Sequence, residues 1–231
     1  GGITQVGDAA DLTVNGGTWT HATGTTHIGD DLSLTGATTI LNLNSGVFRV
    51  RDDFTVTAGA TLNLNGTGAL SFSTATLSAD ASLRATAGGV INLGANAAVL
   101  ATDFDGLRIG VDAGGASGVL NMGTFSLSVS EFILGNRNLD REGIVNGVGV
   151  LTVTGNLDVY EGTINASLAS SGSNTFEKFG VETVTLKGDN SGLNATGSTI
   201  IYEGTLELDY TANTATKLRT ATTLDLRGGT L

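Results

Sequence analysis

The chain offers few groups that could do chemistry. His21 and His27 are its only histidines. Serine is abundant enough to draw a Ser-His-Asp arrangement on paper. That chemistry needs a nucleophile raised on a sharp strand-to-helix turn, and no Gly-x-Ser-x-Gly segment precedes a helix here. Both histidines read as solvated turn residues, and His27, 22 residues before Arg49, shares one outer face with it. The acid pairs Asp30-Asp31 and Asp52-Asp53 recur at the same 22-residue step. Stacked one coil apart, their carboxylates would lie roughly 5 Å from each other and repel unless a cation or Arg51 intervenes. Calcium takes about 6 to 8 oxygens from clusters of this kind. The Gly-Gly-x-Gly-x-Asp nonapeptide of calcium-binding β-rolls is absent, however, and Asp103-Phe104-Asp105-Gly106 lacks the closing Glu of an EF-hand loop. These acids read as turn caps that keep the surface negative, and no metal-ligating residue is assigned.

Two further clusters have the composition of a polysaccharide-cleaving site, in which paired carboxylates stand about 5 to 10 Å apart across a glycosidic bond. Asp103, Asp105, Arg108 and Asp112 form one. Asn136-Arg137-Asn138-Leu139-Asp140-Arg141-Glu142 forms the other, in a loop where charge is commonplace. Only 14% of residues are charged, 5% are aromatic and three are lysines, which is thin material for gripping a sugar chain. Trp19, Tyr160, Tyr202 and Tyr210 read as packing or turn-covering aromatics. Asn65-Gly66-Thr67, Asn165-Ala166-Ser167 and Asn194-Ala195-Thr196 match the glycosylation acceptor pattern at the rate an Asn- and Thr-rich chain gives by chance. No catalytic or cofactor-binding residue is assigned, no cofactor is implied, and the chain reads as a non-enzyme.

Composition closes off other classes. With no Cys, a disulfide scaffold, a thiolate metal site and a Cys nucleophile are excluded. Eleven Lys and Arg against 22 Asp and Glu give a net charge of -11, so a phosphate backbone would meet repulsion and nucleic acid is not a partner. No stretch approaches the roughly 18 apolar residues of a membrane helix, and the segment does not insert in a membrane itself. The opening Gly-Gly-Ile-Thr-Gln has neither a basic region nor an apolar one of a signal peptide. Absence of Cys leans toward export, since chains that cross a bacterial envelope unfolded often avoid it.

The elements that must position these groups are short strands. Leu32-Ser33-Leu34, Phe48-Arg49-Val50-Arg51, Leu62-Asn63-Leu64-Asn65, Leu151-Thr152-Val153-Thr154 and Thr205-Leu206-Glu207-Leu208 alternate apolar and polar with period two, and each ends in turn residues. The 35 glycines punctuate the chain too often for helices. A repeat then decides the class. Val14-Asn15-Gly16-Gly17-Thr18, Leu34-Thr35-Gly36-Ala37-Thr38, Val56-Thr57-Ala58-Gly59-Ala60 and Leu77-Ser78-Ala79-Asp80-Ala81 step by 20, 22 and 21 residues. Leu41-Asn42-Leu43-Asn44 returns as Leu62-Asn63-Leu64-Asn65, and Tyr160-Glu161-Gly162-Thr163-Ile164 as Tyr202-Glu203-Gly204-Thr205-Leu206. The fold class that follows is all-β: a single-stranded parallel β-helix, or β-solenoid, with 20–22 residues and three short strands per coil. About eleven coils fit, forming a rod on the order of 50 Å long. Asn42 over Asn63 and Asn44 over Asn65 are expected to form amide ladders, and the absence of Pro suits a stack in which every coil must donate. Residues 1–231 form one continuous solenoid, with irregular coils and longer turns over 86–117 and the clearest repeats over 150–231. A sandwich or barrel of short strands is the alternative.

Three stretches carry a family resemblance. Gly162-Thr163-Ile164-Asn165-Ala166-Ser167-Leu168, Phe176-Glu177-Lys178-Phe179-Gly180-Val181-Glu182-Thr183-Val184-Thr185-Leu186-Lys187-Gly188-Asp189-Asn190 and Gly204-Thr205-Leu206-Glu207-Leu208 resemble the autotransporter-associated β-strand repeat of large bacterial exported proteins. The pattern departs from that repeat at Leu193-Asn194-Ala195, where an aromatic-Gly pair is common, and at Glu177-Lys178-Phe179. The resemblance implies a right-handed helix on an extracellular or bacterial cell-surface protein, and no specific enzymatic activity.

The expected function is therefore a non-catalytic extracellular structural or adhesive scaffold: a rod within a surface passenger, or a fibre subunit joined head to tail. Gly1-Gly2-Ile3-Thr4 enters the repeat at once and Gly228-Gly229-Thr230-Leu231 stops within one, which predicts open terminal ladders. The partners expected are further β-helix coils of the same chain or neighbouring copies end to end. The alternative is a β-helix protein that binds or cleaves cell-surface or extracellular polysaccharide.

Overall fold

The structure is a computed structural model. It describes residues 3–7, 10–44, 46–51, 53–64, 69–72, 82–86, 89–93, 106–110, 117–136, 142–171, 174–193, 197–211, 213–218 and 223–231. Among these there is no helix, and all regular structure is strand, in segments of three or four residues. The strands stack in parallel into a ten-stranded sheet, a nine-stranded sheet, and a third face made of a four-stranded and then a three-stranded sheet. Successive strands along the chain visit the three faces in turn, which is a β-solenoid with three strands per coil. A sandwich or closed up-and-down barrel is built from antiparallel neighbours, and the parallel pairing overturns that alternative.

Turn chemistry and alternation explain why such short segments suffice. Most strands present two inward apolar side chains, and the row of N–H and C=O groups each exposes is satisfied by the coils on either side. On the ten-stranded face the inward column runs Leu32, Phe54, Leu83, Leu107, Phe132, Leu157, Phe176, all buried. On the nine-stranded face it runs Leu41, Leu62, Ile91, Leu120, Val145, Ile164, Leu186. Burying each such side chain contributes about 1.5 to 3 kcal/mol, so the core is distributed along the rod with no single centre.

The period is looser than the sequence predicts. From Leu12 to Leu224, the register steps on the ten-stranded face are 20, 22, 29, 24, 25, 25, 19, 23 and 25 residues. Ten rungs therefore replace the eleven coils expected from 20–22 residues, and seven coils carry a third-face strand among the described residues. Strand length and inward parity are held constant by the ladder and the core, so the additional residues fall between strands. On the nine-stranded face the two 29-residue steps, Leu62 to Ile91 and Ile91 to Leu120, bracket the 86–117 segment. Within it Val90–Leu93 and Gly106–Ile109 keep full register with their neighbours.

The corner between the ten- and nine-stranded faces is tight. Gly89, Gly118, Gly143 and Gly162 occupy it on successive coils, and a Cβ there would lie 2.0 Å from Val56 O, 1.9 Å from Ala85 O, 2.4 Å from Ile109 O and 2.1 Å from Gly143 O. Backbone cannot yield to such a contact without moving a ladder strand. Gly118→Ala is expected to cost about 2 kcal/mol or more, read as a fall in the urea midpoint, while Thr55→Ala on the outer face stays within about 0.5 kcal/mol. A Gly118→Ala chain that unfolds at the parent midpoint would show that the corner relaxes freely.

Candidate functional site

Outward columns on the ten-stranded face bring charged side chains together along the rod. The first column links acids. The carboxylate Oδ1 of Asp11 accepts the Asp31 N–H at 3.4 Å, and that of Asp31 accepts the Asp53 N–H at 3.0 Å. Asp53 is in turn paired with Arg84 at 2.6 Å. The like-charge stack expected of these pairs is thus relieved by backbone donors and by an arginine of the next coil, Arg84, while Arg51 donates to Gly29 O at 3.5 Å. Asp52 lies outside the described residues. Farther along, Arg108 pairs with Glu131 at 3.3 Å.

The neighbouring outward column, which runs Thr55, Arg84 and Arg108, then changes character. Register places Ile133, Asp158, Glu177 and Ile200 on four successive rungs. Two carboxyl groups sit one rung apart and are flanked on both sides by isoleucine. Burial pushes the Asp158 carboxyl up to about 6, and the neighbouring charges of Glu177 and Glu131 push the same way. The pair opens into a cleft of about 300 Å³ lined by Gly155, Asn156, Asp158, Asn174, Thr175 and Glu177. A carboxyl pushed toward its neutral form beside a second carboxyl is the raw material of acid-base catalysis. The cleft has no aromatic ring and no cationic side chain among its lining residues to orient a substrate.

Most of the charged residues in the two clusters singled out from sequence fall outside the described residues. Arg108 is described, whereas Asp103, Asp105 and Asp112 lie outside the described residues. Of the 136–142 cluster, Arg137, Asn138, Leu139, Asp140 and Arg141 also lie outside them. Glu142 accepts from Ser117 Oγ at 3.2 Å and Thr163 Oγ1 at 3.5 Å, which ties three coils together. Among the described residues no group of three or more His, Asp or Glu is placed to hold a metal ion. His27 stands in register with Arg49, as its spacing predicted, but it lies within the strand Thr25–Ile28 and is half-buried, so the solvated-turn reading is corrected for it. His21 is a correction: it is buried, 6% exposed, and packs edge-on against Phe48 with ring centroids 5.5 Å apart. It pairs in register with Leu43, an inward position, so the solvated-turn reading fails on side-chain parity. Its Nδ1 lies 3.4 Å from Thr26 Oγ1 and its Nε2 has no partner.

The aromatics are accounted for by packing. Trp19 meets Phe48 edge-on at 5.3 Å. Tyr160, Phe179 and Tyr202 stack on consecutive coils at 5.5 and 4.7 Å, and the Arg227 guanidinium covers the end of the stack, 5.1 Å from the Tyr202 ring. Rings that lie face to face with one another do not present those faces to a sugar. Tyr210 carries the Lys217 ammonium 5.5 Å from its ring.

Two buried lysines, unnoticed in the sequence, hold turns together. Lys178 occupies an inward position, and its Nζ donates to Phe179 O, Gly180 O and Glu203 O. Burial pulls its ammonium down to about 8, against Glu182, Glu203 and Glu161, which pull it up. The Lys217 Nζ donates to Lys187 O, Gly188 O and Asn213 Oδ1. The signal for Asp158 and Glu177 was present in the 19-residue spacing of Leu157-Asp158-Val159 and Phe176-Glu177-Lys178, whose shared alternation puts the two acids outward together.

Comparisons with protein-family profiles, curated proteins and solved structures gave no match.

Titration tests the acid pair. A folded-state carboxyl raised to about 6 from an ordinary 3.8 favours the protonated form. Its contribution to stability is complete below pH 3.8 and is lost as pH rises through about 6. With solvent screening at this half-exposed position, the expected difference between pH 5 and pH 7.5 is about 1 kcal/mol. Asp158→Asn should remove that difference and raise the urea midpoint at pH 7.5. If the variant and parent show the same pH dependence between 5 and 7.5, the raised Asp158 carboxyl is refuted.

Proposed function

We propose that the chain is a non-catalytic structural and adhesive rod of an exported, surface-located protein, similar in role to the repeats it resembles. One observation carries this reading: the polar side chains are spent on joining coil to coil. Asn42, Asn63, Asn92, Asn121, Asn146 and Asn165 form an unbroken amide ladder, each Nδ2 donating to the preceding Oδ1 at 2.7 to 3.0 Å. Register continues this column into Lys187 and Asp209, which form an ion pair at 3.3 Å. A side-chain ladder parallel to the backbone ladder resists separation of coils along the axis, which is the mechanical demand on a projecting rod. Leu224, Leu226 and Leu231 are exposed at one end of the described stack. The partners proposed are further coils, of the same chain or of another copy end to end, because only another coil can meet a coil's N–H and C=O groups.

The second reading, binding or cleavage of extracellular polysaccharide, draws on the Asp158 and Glu177 pair. Adjacent rungs give a carboxyl spacing near the roughly 5 Å of a double-displacement glycosidase. The missing aromatic platform in the cleft weighs against it.

Surface location is tested by digesting intact source cells with protease and following the chain with an antibody. Loss of the intact chain without lysis supports the reading, and full protection in intact cells overturns it. Release of reducing ends from a panel of acidic and neutral polysaccharides, abolished by Glu177→Gln, would replace it with the enzymatic alternative. The ladder itself is tested by Asn121→Ala, which breaks it at its middle and leaves the amides of Asn92 and Asn146 each short of one partner. The expected loss is about 1 to 2 kcal/mol with a lower unfolding force along the rod axis. An unchanged force would remove the ladder from the argument.

A further inference from the structure

The outer face of the nine-stranded sheet presents two parallel columns. One is the amide ladder from Thr20 through Asn42 to Asn165. Beside it runs Thr18, Ile40, Thr61, Val90, Val119, Ile144 and Thr163, β-branched at every rung. Neither column carries a charged residue over these seven rungs, in a chain whose net charge is -11. We propose that this face pairs with the same face of a second copy, sheet on sheet and antiparallel, about a two-fold axis through the Val119 rung.

Three observations point to a second copy as the occupant. Two chains of like charge meet at least cost where charge is sparse, and over these seven rungs neither column carries any, with the Glu142 carboxylate that accepts from Thr163 Oγ1 at their margin. Each ladder amide uses one N–H and one lone pair within its own column and keeps one of each facing out. The face is therefore both donor and acceptor and complementary to itself, as an isologous interface requires. Small β-branched residues flanked by an asparagine ladder also form the flat, interdigitating surface of paired sheets. In area, all nine rungs of about four residues, the two charged rungs at Lys187 and at Glu207 and Asp209 included, offer about 550 Å² per copy and about 1,100 Å² per pair, at the low end for a specific contact and fitting a weak, reversible pair. Val119 lies on the fifth of the nine strands, so the two-fold sets it against its own counterpart and sets Val90 against Ile144 of the other copy. The charged rungs then face uncharged ones: the Lys187 rung lies over Ile40 and Asn42, and the rung of Glu207 and Asp209 over Thr18 and Thr20. This inference goes beyond the rod reading and survives or fails without it.

Sedimentation equilibrium from about 1 to about 200 µM tests it. The parent chain is expected to follow a monomer-dimer equilibrium within that range. Val119→Lys brings two ammonium groups together at the axis and should weaken pairing at least about tenfold, while Thr55→Lys on the ten-stranded face leaves it unchanged. Val90→Lys should weaken pairing, and adding Ile144→Glu should restore it, because the two new charges face each other only across the antiparallel dimer. This rescue keeps the test decisive if Val119→Lys fails to fold. A monomer at all concentrations overturns the proposal. So does pairing that survives Val119→Lys, pairing that Leu226→Lys alone abolishes, or a double variant that is not rescued.

Discussion

Everything in this molecule rests on one constraint: a coil of three-residue and four-residue strands cannot satisfy its own backbone. Each strand's N–H and C=O groups point along the rod axis, and only the next coil, at the roughly 4.8 Å strand spacing, can meet them. Isolated strands this short have no stability, so the coil exists only as a member of a stack. The absence of proline follows from the same demand, because every position must be able to donate. So do the corner glycines, where the chain turns so closely over the coil beneath that a methyl group would strike a carbonyl oxygen.

Stacking in register has a second consequence, which sets the chemistry of the surface. A residue type that recurs at one position becomes a column, and the column multiplies whatever that side chain does. Asparagine, which is both donor and acceptor, becomes a ladder in which each added rung gains a bond. Aromatic rings become a stack that covers its own faces. Carboxylates become a liability, and two remedies are visible. In the Asp11, Asp31, Asp53 column the chain supplies backbone N–H groups and an arginine. At Asp158 and Glu177 neither a backbone N–H nor an arginine bonds to the carboxyls among the described residues, and the Asp158 carboxyl is pushed toward its neutral form. Lys178 solves the inverse problem by placing a cation inside, where three carbonyl oxygens replace water.

The same logic decides what the sequence reveals. Alternation and recurrence were enough for the solenoid, its three strands per coil and the meeting of Asn42 with Asn63, because these depend on parity and spacing alone. The full six-rung ladder escaped a fixed 20–22-residue period: Ile91-Asn92-Leu93 and Leu120-Asn121-Met122 repeat the apolar-Asn-apolar triplet but follow at 29 residues. The second expected ladder, Asn44 over Asn65, reaches beyond the described residues. His21 was misjudged although its parity with Trp19 was available; two residues along a strand, it had to point inward with Leu43. The 19-residue step that pairs Asp158 with Glu177 is the shortest on the ten-stranded face, and a search for carboxylates close in sequence passed over it.

Inward and outward columns also differ in what they can change. An inward substitution disturbs a core shared by three faces and two neighbouring coils, as the corner glycines show most sharply. An outward substitution alters a column at one rung and leaves the backbone ladder intact. A rod of this kind can therefore vary its outer faces without losing its fold, and a departure from the dominant column pattern is informative. The two departures on the ten-stranded face are the isoleucine-flanked acid pair and the arginine run before it. On the nine-stranded face the informative feature is the lack of departure, seven rungs without a charge in an acidic chain. Solvent alone would favour scattered charge there, since charge keeps an exposed sheet face soluble. Two columns without charge over that length are what the proposed pairing with a second copy draws on.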